Sequence, residues 1–220
     1  MYLEDNRPRV KICGITRLED ARFASGALVD FLGFIFVKDS PRYIDPERAK
    51  EIIGWVEGPQ TVGVFANEKP SIINAIALES GIHLVQLHGD ETPEDCFNIN
   101  LPVIKAFRVK PEDTVETVLA MIEPYSEVCE YFLLDTYTKE ALGGTGKAFN
   151  WNIVAQVSED YPILVAGGIN HENVREAVLT ARPFGVDISS GVEEKPGIKD
   201  FDLIQEVMIE LEDIESEFDL

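Results

Sequence analysis

The sequence is short of cysteine, histidine and basic side chains, and it has no long apolar run. Each shortage excludes something. Cys13, Cys96 and Cys129 are odd in number and widely spaced. They supply neither a disulfide framework nor a metal-ligand cluster, and a reducing cytoplasm is the expected setting. The three histidines, His83, His88 and His171, are scattered, and no metal site is expected. No segment approaches the roughly 20 apolar residues that span a bilayer. Residues 1–8 lack the basic start and apolar core of a signal peptide. Nineteen Lys and Arg stand against 40 Asp and Glu, a net charge of −21. Such a surface repels phosphates, so neither nucleic acid nor an anionic membrane is an expected partner. The acid thickens over Ile209–Leu220, a balance that suits high salt, where counterions screen self-repulsion.

What is present is a regular alternation of short apolar runs and longer helix-like segments. The runs are 10–13, 31–36, 61–65, 84–87, 103–107, 131–134, 163–166 and 184–188. The helical segments are 18–25, 46–54, 71–79, 93–98, 114–122, 151–157, 172–179 and 201–211. The runs are continuously apolar, as for strands buried on both faces. Eight such units in 220 residues predict an α/β fold, a single-domain (β/α)8 TIM barrel over 1–220. Residues 1–8 form a short extension and 212–220 an acidic tail. The turn after the first run, Cys13-Gly14-Ile15-Thr16, lacks a dinucleotide fingerprint.

In such a barrel the loops after the strands build the active site. Cys13 ends the first run and Asp135 follows the sixth. A cysteine there is either a small buried hydrophobe or a reactive group; a carboxyl in an equivalent place favours one shared site. Loop two offers Arg42, a carboxylate fork or a plain surface arginine. Loop four offers His88, a polar contact or a structural group. Gly143-Gly144-Thr145-Gly146-Lys147 in loop six is not a Walker A loop, and reads as a closing loop or as a turn. Gly168 in loop seven and Ser190-Gly191 in loop eight lie where barrels bind phosphate through backbone N–H groups. Each alone is an ordinary turn signal.

Taken together, the motifs resemble those of the phosphoribosylanthranilate isomerase family of tryptophan biosynthesis. The resemblance rests on Lys11-Ile12-Cys13-Gly14-Ile15-Thr16, Ser40-Pro41-Arg42-Tyr43-Ile44, Val62-Gly63-Val64-Phe65, Val85-Gln86-Leu87-His88-Gly89-Asp90-Glu91 and Leu133-Leu134-Asp135-Thr136. It continues through 143–151, Ala166-Gly167-Gly168-Ile169 and Val186-Asp187-Ile188-Ser189-Ser190-Gly191-Val192-Glu193, and spans about 9–201.

The resemblance implies a cofactor-free Amadori rearrangement of N-(5-phosphoribosyl)anthranilate to 1-(o-carboxyphenylamino)-1-deoxyribulose 5-phosphate. Asp135 would be the general acid and Cys13 the general base. Arg42 would hold the anthranilate carboxylate, and Gly144, Gly168, Ser190 and Gly191 the phosphate. His88 and Asp187 would make further substrate contacts. A free thiol titrates at about 8.5 and a carboxyl at about 3.9, so the site would have to favour the thiolate and a protonated Asp135. The partner is the phosphosugar, and the chain is a monomer or a homodimer. Sister phosphosugar barrels, namely the histidine-pathway ribonucleotide isomerase and indoleglycerol-phosphate synthase, and a non-catalytic phosphate-binding barrel are the competing readings. The first is expected to carry aspartate at position 13, the second more strand-end lysine and glutamate, and the third needs no acid–base pair.

Overall fold

The computed structural model describes residues 7–135 and 151–218. Eight parallel strands close into a barrel in chain order: β1 (Arg9–Cys13), β2 (Phe31–Ile35), β3 (Gln60–Phe65), β4 (Leu84–Leu87), β5 (Val103–Arg108), β6 (Tyr131–Asp135), β7 (Ile163–Ala166) and β8 (Gly185–Ile188). Closure comes from β1 pairing with β8, Lys11 opposite Asp187. The helices are α1 (Leu18–Gly26), α2 (Pro46–Ile53), α3 (Pro70–Ser80), α4 (Pro93–Phe97), α5 (Val115–Ile122), α6 (Trp151–Val157), α7 (Val174–Ala181) and α8 (Phe201–Phe218).

Alternation along each strand divides the apolar side chains into two sets. Phe31, Val62, Leu84, Ile104, Leu133 and Leu164 pack inside the barrel. Val10, Ile12, Leu32, Val85, Phe132 and Val165 pack outward beneath the helices. Helix starts follow from local chemistry. Asp45 accepts a hydrogen bond from Glu47 N at 3.0 Å and Pro46 sets the first turn of α2, while Thr92 and Asp95 form a capping box on α4.

Three features depart from the sequence reading. Helix α8 runs to Phe218 instead of stopping near 211. Ile204, Val207, Leu211 and Ile214 recur at three- and four-residue spacing and are all buried, so an apolar stripe carries the helix through the acidic stretch. Helix α7 begins at Val174, because Asn173 is spent on the loop before it: its side chain donates to Gly168 O and accepts from Asn170 N, both at 2.9 Å. After β8 the chain makes a short 3₁₀ turn (Ser190–Val192) and then a small antiparallel hairpin of β9 (Glu193–Lys195) and β10 (Ile198–Lys199). Gly197 supplies its positive φ of 81°.

Candidate active site

The carboxyl ends of the strands surround a cavity of about 210 Å³. Its walls include Cys13, Arg42, His88, Asp135, Gly168, Asp187, Ser190 and Gly191. Every site residue expected from the sequence therefore borders one space, apart from Gly144, which lies outside the described residues together with the rest of 143–147. Cys13 comes from β1 and Asp135 from β6, so the thiol and the carboxyl enter from well-separated staves.

Cys13 does not stand alone. Lys11 lies two residues earlier on the same strand face, inside the barrel, and is fully buried. Its ammonium donates to Asp187 Oδ1 at 2.8 Å and lies beside the Cys13 side chain over Gly33. Burial works against the Lys11 charge, but Asp187 and Cys13 outweigh it and hold the pKa above the ordinary lysine value. For the Cys13 thiol, burial is the largest influence and pushes the pKa up. Lys11 and Lys199 pull it down, and the negative Asp187 adds to the rise. The group is thus held above the ordinary range of a thiol. Desolvation outweighs the two lysines that favour the thiolate.

The space for this cluster comes from Gly33 on β2. A Cβ there would sit 2.8 Å from Cys13 Sγ and 3.2 Å from Lys11 Nζ.

A second cluster ties the hairpin to the mouth. Lys199 Nζ donates to Cys13 O at 2.6 Å, Ser189 O at 3.1 Å and Glu193 Oε1 at 2.9 Å. Glu193 in turn receives Arg42: Nε at 2.9 Å and Nη2 at 2.6 Å. Burial alone would raise the Glu193 pKa, but Arg42 and Lys199 hold it below the usual carboxylate range. A guanidinium carries five N–H donors, so the Nε edge given to Glu193 orients the group and leaves the other edge for a second acceptor.

Loop four is fixed separately. Glu91 accepts from Asn67 N at 2.7 Å and Gly89 N at 2.9 Å, and from the buried Lys105 at 2.8 Å. Lys105 also donates to Gly89 O at 2.7 Å. His88 projects from this braced loop with Nε2 3.4 Å from Asp135 Oδ2, and its Nδ1 lies 3.1 Å from Gln86 Nε2. Gln86 Oε1 is buried without a partner and its residue borders the cavity.

On the opposite wall Gly167 and Gly168 have φ of 94° and 72°, and a Cβ at Gly168 would meet open space. A Cβ at Gly191 would overlap the Ile169 carbonyl, so only glycine lets loops seven and eight approach this closely.

Sequence reasoning missed Lys11, Gly33, Glu193 as a partner of Arg42, and Lys199. A charged residue within an apolar strand was a readable signal for Lys11, because a buried ammonium requires a buried counter-charge.

Among the described residues there is no group of His, Cys, Asp and Glu arranged to hold a metal, and no helix is long and apolar enough to cross a membrane.

Comparison with known proteins agrees with this geometry. Residues 10–210 match the family model described as N-(5'-phosphoribosyl)anthranilate isomerase. The N-(5'-phosphoribosyl)anthranilate isomerase of Geobacter sulfurreducens is 47% identical over 199 residues, covering 90% of this chain and 95% of its own. The crystal structure of phosphoribosyl anthranilate isomerase from Thermotoga maritima superposes with a TM-score of 0.83 at 41% identity, covering 94% and 99% of the two chains. A further structure of this isomerase, in complex with reduced 1-(o-carboxyphenylamino)-1-deoxyribulose 5-phosphate, matches with a TM-score of 0.81 at 38% identity, covering 94% and 99%. The chain belongs to the N-(5'-phosphoribosyl)anthranilate isomerase family, whose members are isomerases of tryptophan biosynthesis.

Proposed function

We propose that this site performs the family's Amadori rearrangement with Asp135 as general acid and Cys13 as general base, in one barrel domain working in the cytoplasm without a cofactor. The observation that carries this reading is the thiol and the carboxyl bordering a single cavity beside the glycine loops seven and eight.

Asp135 protonates the furanose ring oxygen of N-(5-phosphoribosyl)anthranilate, and the C1′–O bond opens to leave an iminium ion. Cys13 then removes the proton at C2′, and the enolamine tautomerises to the ketone. The order follows from electrostatics. Burial favours the neutral thiol, so the base works best after a cation has formed beside it. The iminium both acidifies the C2′ proton and stabilises the thiolate. Lys11, whose charge favours the Cys13 thiolate, is the fixed positive charge that assists, and Asp187 keeps that ammonium in place while facing the sugar hydroxyls. His88 orients Asp135.

Arg42, steadied by Glu193, receives the anthranilate carboxylate on its remaining edge. Backbone N–H groups at Gly168, Ser190 and Gly191, with Gly144, receive the phosphate. These local donors let an anionic substrate bind to a chain of net charge −21.

The test is turnover on purified protein, followed as loss of the substrate's anthranilate fluorescence. The wild-type chain converts the substrate, and Asp135→Asn lowers kcat by about 10²–10⁴-fold with KM nearly unchanged. Full turnover in Asp135→Asn would overturn the acid assignment.

A further inference from the structure

Gln86 borders the mouth, yet no acid–base step uses it. It lies on β4, where Leu84 packs inside the barrel, so Gln86, two residues on, faces inward as well. His88, two further on, continues that face: its backbone N–H donates to Phe65 O at 2.8 Å, as though the strand ran on. The two side chains therefore meet. Gln86 is 1% exposed, and its Nε2 is 3.1 Å from His88 Nδ1. Its Oε1 is buried with no partner among the described residues. Across the ring, His88 Nε2 is 3.4 Å from Asp135 Oδ2.

An amide nitrogen donates and does not accept. His88 Nδ1 is then the bare, accepting nitrogen, and the proton of the neutral ring sits on Nε2, towards Asp135. The amide does not gain by turning over. Exchanging its two ends would bury an NH2 with two donors and no acceptor, in place of one carbonyl with no donor.

We propose that Gln86 is a positioning residue for the general acid: by donating to Nδ1 it keeps the His88 proton on Nε2, and so stops His88 from accepting the proton that Asp135 must deliver. This inference rests on the reading of Asp135 as the acid. An ionised Asp135 selects the same tautomer unaided, since a carboxylate only accepts. A protonated Asp135 does not. With its proton on Nδ1, His88 would offer the acid a bare Nε2, which draws the carboxyl proton away from the furanose oxygen. The Gln86 amide closes that route in the protonation state that catalysis needs.

The test uses the full chain, isotope-labelled in the histidine ring nitrogens. Long-range proton–nitrogen correlation spectra distinguish a bare Nδ1 from a protonated one. His83 is an internal standard, because its Nδ1 accepts from Thr61 N at 3.0 Å. Wild type should show His88 with a bare Nδ1 and its proton on Nε2. In Gln86→Met, an apolar side chain of similar length, that single form should give way to a mixture. In the fluorescence assay kcat should fall about 10-fold, with KM within about threefold. In a His88→Asn background, Gln86→Met should lower kcat by less than about twofold, because no ring is left to hold. A wild-type His88 protonated on Nδ1 overturns the proposal, and that spectrum needs no variant to fold. So does a Gln86→Met chain that keeps the wild-type tautomer and kcat, or one that loses the same factor in kcat with and without His88. The spectra are taken without turnover, so this outcome is separate from that of Asp135→Asn, which tests the acid itself.

Discussion

Two buried lysines, Lys11 and Lys105, sit in similar company on opposite faces of the same barrel. Each is paired with a carboxylate at 2.8 Å, Asp187 for Lys11 and Glu91 for Lys105. Each also exerts its charge on a cysteine, Cys13 or Cys96. Lys11 points into the barrel below the cavity of about 210 Å³ that Asp187 and Cys13 border. Lys105 sits between Ile104 and Ala106, which face the interior, so it points outward, 5.7 Å from the Phe107 ring and 5.9 Å from that of Tyr125. One triad reaches the mouth; the other braces the loop that holds His88. The pleat of a strand, more than residue type, decides whether a buried charge can touch a ligand.

Substituting the thiols gives the widest separation between the two faces. Cys13→Ser should lower kcat by about 10²–10⁴-fold, while Cys96→Ser should leave kcat/KM within about twofold, both read by the fluorescence assay. Near-normal turnover in Cys13→Ser would break the comparison.

The lysines come next. Lys11→Met and Lys105→Met should each destabilise the fold by about 3–5 kcal/mol, measured by urea unfolding, since each leaves a carboxylate buried and unpaired. Only Lys11→Met should also move the basic arm that reports the thiol in the pH profile of kcat/KM. Equal pH profiles for the two variants would remove the distinction between the faces.

Arg42→Ala should act mainly through KM, raising it by about 10–100-fold.

A smaller effect is acid sensitivity shared by both faces. Glu91 and Glu193 have folded pKa values below the ordinary 4.5. Their pairing therefore stabilises the fold above that value, and the contribution is lost as pH falls through the lowered folded values. Melting temperatures should drop over that interval. A flat acid limb would show that these pairs add nothing net.

Much of this architecture was legible in the chain. Continuous apolar runs separated by helical segments identify the barrel, since buried parallel strands have no polar face to display. Cys13 and Asp135 were legible because strand ends in such a barrel point to its mouth. The partners of these groups were harder to read. Lys11 looks like a surface lysine until its alternation with Val10 and Ile12 is set against strand orientation. Glu193 and Lys199 come together only through the hairpin, for which Pro196-Gly197 was a local cue. Cys96 and Cys129, far apart in sequence, border one cavity beside the starts of β5 and β6. Acidic composition masked the last turns of α8, whose apolar stripe repeats every three or four residues.

The Lys11–Asp187 contact spans 176 positions and the Lys199–Cys13 contact 186. During synthesis the first strand emerges carrying an ammonium whose counter-ion is translated only near the end. A ribosome-bound chain lacking its eighth strand holds that lysine without its mate, and the sulfur two residues on is left without its finished surroundings. Truncation before β8 should therefore remove both the counter-charge of Lys11 and the lysine that holds the Cys13 carbonyl, rather than trim one wall of the mouth.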